Sequence, residues 1–214
     1  GEMDLKKRFI LIALFILLII FGISKIHIKT EEKNIKTKSG VAKVILYRKI
    51  FSSYSNRIEI ERNGEVYLRD FKGKNPLNIW KFEAGDVEGD KEEELALGVY
   101  KKSPHHQVMA KRVFLYNIVD GKLKPKFRAS RLALPMDDFI LYDIDKDGRD
   151  EVVSIEIKDN IYFIAAYHYK DFHLTRDYVS EPLEKKPKFS EGGKIIYKDR
   201  SFDLKINGEE IILK

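Results

Sequence analysis

The chain has 214 residues, of which 35% are charged, and its formal net charge is +6. This length fits one domain with a short additional segment. There is no cysteine, which excludes disulfides, cysteine-based zinc sites and a cysteine nucleophile. The basic excess is small and forms no dense stripe interleaved with aromatic residues, so nucleic acid is not predicted as a partner.

The N-terminal segment has the pattern of an export signal. Three basic residues, 6–8, precede an unbroken apolar run over residues 9–23. No small-residue cleavage site follows, which favours an uncleaved signal anchor over a cleaved signal peptide. Cleavage would instead give a secreted protein.

The basic cluster before the run predicts a single-pass protein of the cell membrane, with its N-terminus inside. Residues 1–8 would then form a short cytoplasmic tail, and residues 9–25 a transmembrane anchor in contact with membrane lipid. Residues 26–40 are rich in Lys, Glu and Thr and are typical of a tether. Residues 41–214 would form the extracytoplasmic domain.

From residue 41 onward, apolar residues alternate with polar ones at a period of two, which predicts β-strands. Asn63-Gly64 and Asn207-Gly208 are typical hairpin turns between such strands. No amphipathic helix is predicted after residue 30. Many short strands separated by frequent turn signals predict an all-β sandwich, barrel or propeller.

An internal repeat favours the propeller. Residues 82–95 and 139–152 both have an aromatic residue, then alternating acidic residues four positions later, then a strand. With the flanking strands, the repeats extend over about 79–130 and 136–180. Each repeat would be a four-stranded antiparallel blade. The fold class predicted is therefore a small or partial array of such blades behind the N-terminal transmembrane helix.

The acidic loop of the second repeat predicts a calcium site. Alternate carboxylates in a tight loop can converge on one hard cation, a glycine at position 6 permits the turn, and position 7 offers a backbone carbonyl. The predicted ligands at positions 1, 3, 5, 7 and 9 are Asp143, Asp145, Asp147, the carbonyl of Arg149, and Glu151.

The loop of the first repeat is degenerate. Its acidic residues at positions 1, 3, 5 and 9 are Asp86, Glu88, Asp90 and Glu94, but Lys91 replaces the glycine. We therefore expect this loop to bind calcium more weakly or to be a structural turn. An EF-hand is excluded for both loops, because position 12 is Leu97 or Ser154 rather than glutamate.

The D-x-D-x-D-G-x-x-E-[LV] loop that opens a strand, repeated at this spacing, resembles the FG-GAP/VCBS-like repeats of integrin-type β-propellers. The resemblance covers roughly residues 76–180. It implies structural calcium in the loops, and adhesion or ligand binding at the blade faces or tips. Two repeats are fewer than the usual seven blades. The flanking strands, 41–70 and 193–213, could supply further blades, or the chain could complete a ring as a homo-oligomer.

No catalytic motif is evident, so we expect a binding or scaffold module for a protein or glycan ligand rather than an enzyme. The alternatives are an accessory subunit of a membrane protein complex and a carbohydrate-active enzyme. A glycosidase would need two carboxylates, for which Asp137-Asp138 and Glu92-Glu93-Glu94 are candidates. The remaining candidates are histidines, which we interpret as loop or sheet residues: His105, His106, His168 and His173.

Overall fold

The computed structural model describes residues 5–71, 73 and 75–214. Apart from one helix, α1 (Leu5–Ile23), and a 3₁₀ turn at Glu191–Gly193, its regular structure is β. The prediction of an all-β domain is therefore confirmed. The strands are β1 (His27–Thr37), β2 (Gly40–Lys49), β3 (Ser55–Arg62), β4 (Glu65–Asp70), β5 (Ile79–Gly85), β6 (Glu94–Ser103), β7 (His106–Val119), β8 (Lys122–Arg128), β9 (Met136–Tyr142), β10 (Glu151–Lys158), β11 (Ile161–Lys170), β12 (His173–Ser180), β13 (Lys188–Phe189), β14 (Lys194–Tyr197), β15 (Arg200–Asn207) and β16 (Glu210–Leu213).

The prediction of a transmembrane anchor at residues 9–25 is wrong. Within the described part of the chain, no helix has both the length and the apolar character needed to cross a membrane. Helix α1 has 19 residues, but basic residues occupy its first turn. The apolar run that remains covers roughly 23 Å at about 1.5 Å per residue, whereas a hydrocarbon core is about 30 Å thick.

The localisation predicted from that anchor, single-pass in the cell membrane with the N-terminus inside, is overturned by the same finding. Of the predicted cytoplasmic tail, residues 1–4 lie outside the described residues and residues 5–8 belong to α1. The large apolar side chains between Phe9 and Phe21 are exposed, so the helix does not pack on the sheets.

The predicted tether at residues 26–40 is also wrong, because most of it is strand β1. This strand pairs antiparallel with β2 from His27↔Lys49 to Thr37↔Gly40. Its charged residues suggested a solvated linker, but several of them bind other strands. Lys33 pairs with Glu83 of β5, while Ile35 is fully buried.

The sixteen described strands form four antiparallel meanders of four strands each. We call β1–β4 unit 1, β5–β8 unit 2, β9–β12 unit 3 and β13–β16 unit 4. Single bridges or short pairings join neighbouring units, as between Ser55 and Ile79 or Val179 and Glu210. The first strands follow one another in space, since β1 contacts β5, β5 contacts β9 and β9 contacts β13.

Three apolar cores lie between successive units. Units 1 and 2 enclose the first core, units 2 and 3 the second, and units 3 and 4 the third. In units 2 and 3, alternate side chains of the inner strands enter the two cores on either side of the unit, as Leu97 and Ala96 of β6 do. Fully buried residues in the three cores include Phe82, Leu97, Phe139, Val152 and Ile164.

Candidate metal centre

The two acidic loops lie at equivalent places, between the first and second strands of units 2 and 3. Both have left-handed backbone at positions 4 and 6. These are Gly89 (φ 75°) and Lys91 (φ 70°) in the first loop, and Lys146 (φ 68°) and Gly148 (φ 92°) in the second. Each loop thus has one glycine for two left-handed positions, and only the glycine's place differs. Lys91 therefore does not prevent the first loop from adopting the turn.

The second loop brings together three of its four predicted carboxylate ligands. Carboxylate oxygens of Asp143, Asp145 and Glu151 all lie within 4.8 Å of one another. Asp147 is not part of this cluster. The Asp147 Oδ1 accepts a hydrogen bond from the Arg149 N–H at 2.8 Å, and both residues are exposed.

The clustered carboxylates of the second loop are only partly satisfied within the described residues. Asp143 Oδ1 is buried and has no hydrogen-bond partner. Glu151 is 2% exposed, and its Oε2 accepts the Ile144 N–H at 3.1 Å. The pKa of Glu151 is raised to about 8, mainly by burial and also by the charges of Asp145, Asp147 and Asp143, while the hydrogen bond from Ile144 opposes the rise.

In the first loop, the Asp86 carboxylate instead accepts hydrogen bonds from backbone N–H groups. Its Oδ1 accepts the N–H groups of Glu88 at 3.2 Å, Gly89 at 2.6 Å and Asp90 at 3.2 Å. Its Oδ2 accepts the Lys91 N–H at 2.6 Å. Four donors on one carboxylate stabilise the turn without a cation. The predicted set of Asp86, Glu88, Asp90 and Glu94 is not brought together as a metal cluster.

A lysine supplies the positive charge of the first loop. Lys126 Nζ lies 2.8 Å from Glu94 Oε1 and also pairs with Glu88. The Lys126 and Glu94 side chains are 8% and 2% exposed. Burial still raises the pKa of Glu94, while Lys126 opposes that rise. Glu151 makes no ion pair with any residue that the structure describes.

The residue equivalent to Lys126 in unit 3 is Asp177. Lys126 is the extra residue of a β-bulge where β8 pairs with β7, between Phe127 and Pro125. Asp177 is the extra residue of the matching bulge, between Tyr178 and Arg176. The charge at this place is therefore reversed. Asp177 pairs with His168, and the neighbouring Tyr178 hydroxyl donates to Asp145 Oδ2 at 3.1 Å.

Position 8 of each loop joins that loop to the preceding unit. The Asp150 N–H donates to the Asp86 carbonyl at 2.7 Å, and Asp150 Oδ2 accepts the Asp86 N–H at 2.8 Å. Glu93 makes the same reciprocal pair with Lys36 of β1, at 2.7 and 2.6 Å. Sequence reasoning did not predict this backbone contact for either carboxylate, although an acidic residue at position 8 of both loops was the available signal.

Asp137 and Asp138, the candidate carboxylates outside the two loops, are engaged in ion pairs. Asp138 pairs with Lys81 at 3.0 Å. Asp137 pairs with Lys186 at 2.7 Å and Lys111 at 3.6 Å. These pairs connect β9 with β5, with β7 and with the linker before β13. Neither Asp137 nor Asp138 is therefore an unpaired carboxylate. Of the histidines, His173 donates from Nδ1 to the Asp171 carbonyl at 2.7 Å within its hairpin.

No family model matches the chain, and no curated protein matches it. Among solved structures, the chain is similar to the crystal structure of exotype rhamnogalacturonan lyase YesX, with a TM-score of 0.52 and 12% sequence identity. The match covers 83% of this chain and 39% of that one. This chain therefore spans about two fifths of the length of that protein. At this identity the likeness shows the fold alone.

Proposed function

We propose that this protein is a non-catalytic binding or scaffold module in which one calcium ion stabilises the second acidic loop. Asp143, Asp145 and Glu151 would hold the ion. The observation that carries the proposal is the cluster of these three carboxylates, in which a buried oxygen of Asp143 has no hydrogen-bond partner in the described part of the chain. Several carboxylates held together without a counter-charge repel one another, and a bound cation removes that repulsion.

The donor set favours calcium. All available ligands are oxygens, which suits hard cations, and the absence of cysteine and of clustered histidine disfavours softer metals. Calcium accepts crowded, flexible oxygen shells more readily than magnesium. A resident ion would supply structural charge compensation here, as Lys126 does beside Glu94. We therefore propose calcium in the second loop and none in the first.

An ion in the second loop would stabilise the junction between units 2 and 3. Asp150 lies between the ligands and the first loop, where it binds the Asp86 backbone. The Arg149 side chain lies against Gly89, close enough that a Cβ there would be 3.0 Å from Arg149 Cγ. Ordering of residues 143–151 would therefore also order the contact between the loops.

We infer further that the four units correspond to blades of a partial β-propeller of the FG-GAP/VCBS-like type. Two features support this: the first strands of the units are neighbours in space, and each junction has its own apolar core. The outer face of unit 1 carries pairs such as Lys43–Glu61 at 3.1 Å, and unit 4 carries Lys194–Asp203 at 2.6 Å. The same face of unit 1 also exposes the apolar side chains of Val41, Val66 and Leu68, so it is not the uniformly polar face that is typical of a terminal capping repeat.

A calcium titration tests the proposed function. Calorimetry on the whole chain should show binding, and thermal unfolding should shift upward with calcium relative to a chelator. Asp143→Asn and Asp145→Asn should lose both effects. Asp159→Asn is the matched control, since it removes the same charge from a hairpin of the same unit. Neither heat nor a stability shift in the wild-type chain would refute the calcium site.

A second candidate function comes from the structural neighbour, which acts on rhamnogalacturonan. This chain could bind or cleave an acidic polysaccharide of that kind. Incubation with rhamnogalacturonan separates the two activities. Retention of the polysaccharide without new ultraviolet absorbance favours a binding module, whereas absorbance from a newly formed carbon–carbon double bond favours a lyase.

A further inference from the structure

A basic cleft lies at the end of unit 2 remote from the acidic loop. Strand β6 begins at Glu94 beside that loop and ends at Ser103 beside the cleft. The two ends of this ten-residue strand are about 30 Å apart. The cleft has a volume of about 550 Å³, and its lining includes Lys101, Lys102, Ser103, His105, Gln107 and Arg128.

The cleft has positive charge without a counter-charge. None of the described residues that line it is acidic. Burial lowers the pKa of Lys101, and the charges of Arg128 and Arg112 lower it further. Because the charged neighbours of Lys101 are cations, a bound anion would be a favourable partner for its ammonium group.

Arg112 adds a buried charge beneath the cleft. Its side chain is 1% exposed. It donates to the carbonyls of Lys101 at 2.8 Å, His106 at 3.0 Å and Val108 at 2.8 Å. These neutral acceptors satisfy the guanidinium hydrogens but leave its charge uncompensated among the described residues. A buried cation normally has an anionic partner.

The floor of the cleft also offers a hydroxyl group. Ser103 is 6% exposed, and its buried Oγ has no hydrogen-bond partner among the described residues. The hairpin around it is fixed by Gln107, whose Nε2 donates to the carbonyls of Ser103 at 3.0 Å and Pro104 at 3.2 Å. A free donor held beside several cations is the arrangement that recognises an oxyanion.

We infer that this cleft binds an oxyanion, held by Lys101, Lys102 and Arg128 and by the Ser103 hydroxyl. The group would be a carboxylate, as on a uronic acid, or a tetrahedral phosphate or sulfate. A metal ion is disfavoured, because the described lining of the cleft has no carboxylate and its charged groups, Lys101, Lys102 and Arg128, are cations. The inference does not depend on calcium in the acidic loop.

Calorimetry on the whole chain tests this inference with three probes: galacturonate, inorganic phosphate and inorganic sulfate. A chelator is present throughout, so the result is independent of the calcium site. Galactose, which lacks the charge, is the neutral control. Binding of galacturonate alone identifies a carboxylate site, binding of phosphate or sulfate alone identifies a tetrahedral-anion site, and either outcome supports the inference. Binding should weaken as ionic strength rises.

Variants locate the binding. Arg128→Gln, Lys101→Gln and Ser103→Ala should each weaken it, with about a tenfold loss for each cation because charge-assisted hydrogen bonds are the stronger kind. Lys124→Gln removes an exposed charge from the same strand β8, away from the cleft, and should leave binding unchanged. Thermal unfolding of each variant checks that it is folded. Absence of binding for all three anions, or equal binding by wild type and all variants, would overturn the inference.

Discussion

Lys126 Nζ lies 2.8 Å from Glu94 Oε1, and both side chains are almost fully buried. The equivalent glutamate of the next unit, Glu151, has no such partner among the described residues, because Asp177 occupies the place that corresponds to Lys126. The two loops therefore differ in charge compensation rather than in backbone. One contains its own cation, and we propose that the other takes up calcium.

Asp177→Lys should make the second loop resemble the first. An ammonium group at this bulge would compensate Glu151, so the calcium-free variant should unfold at a higher temperature than the calcium-free wild type. Its stability should no longer respond to calcium. Thermal unfolding with calcium and with a chelator measures both effects. Asp177→Asn is the control: it removes the pair with His168 but adds no cation, and should keep the calcium response.

Lys126→Met should destabilise the protein strongly. Removal of one partner from a buried ion pair leaves an uncompensated charge, here on Glu94, at a cost of about 3–5 kcal/mol. Lys124→Met is the matched control on the same strand, and as an exposed change it should alter the free energy of unfolding by less than about 0.5 kcal/mol. Chemical denaturation compares the two variants. Equal stabilities would mean that Lys126 does not compensate Glu94.

Asp150→Ala should loosen the junction between units 2 and 3. The Asp150 carboxylate accepts backbone hydrogen bonds from both Asp86 and Asp143, so its loss leaves two donors without this acceptor. At about 1–3 kcal/mol for each buried unsatisfied group, we expect a loss of about 2–4 kcal/mol. Exposed Glu184→Ala should change stability little. Hydrogen exchange should become faster in both acidic loops of the Asp150 variant; unchanged exchange would argue against the junction described here.

The pH dependence follows from Glu151, whose pKa is raised from 4.5 to about 8 in the metal-free protein. A raised folded-state pKa means that the folded chain binds the proton more tightly than the unfolded chain. The contribution to stability is therefore full below the unfolded value, and is lost as the pH rises through about 8. The slope is at most about 1.4 kcal/mol for each pH unit.

Calcium should reverse this trend, because it binds the ionised carboxylate. Below the raised pKa, calcium affinity should increase about tenfold for each pH unit, with release of a proton on binding. Calorimetric calcium titrations in buffers of different ionisation enthalpy measure the number of protons released on binding. Glu151→Gln should flatten the metal-free stability profile. A calcium affinity independent of pH in the wild-type chain would contradict the role given to Glu151.

The sequence predicted the features that are local along the chain. Alternating apolar residues indicated strands, and acidic residues at alternate positions indicated the loop that brings Asp143 and Asp145 together. The compensation of the Glu94 charge in the first loop could not be predicted in this way. Lys126, which provides it, is 32 residues from Glu94 in the chain and reaches it only through the pairing of β7 with β8. The glycine of the first loop lies at position 4, so the absence of glycine at position 6 was a misleading signal.

The two N-terminal errors have a different cause. Charged residues in β1 resembled a tether because composition does not reveal cross-strand partners, and Lys33 has such a partner in Glu83. The segment after the basic residues was judged by its apolar composition, whereas the described helix does not combine sufficient length with sufficient apolar character.

The number of calcium ions bound by each chain tests the central claim most directly. Equilibrium dialysis of the whole protein against calcium gives that number. We predict one ion for the wild-type chain and none for Asp143→Asn. Folded Lys126→Met should also bind one ion, because the Asp86 carboxylate of the first loop is already occupied by four backbone donors. A wild-type chain that binds no calcium would contradict the site at Asp143, Asp145 and Glu151, and one that binds two would contradict the role of Lys126 in the first loop.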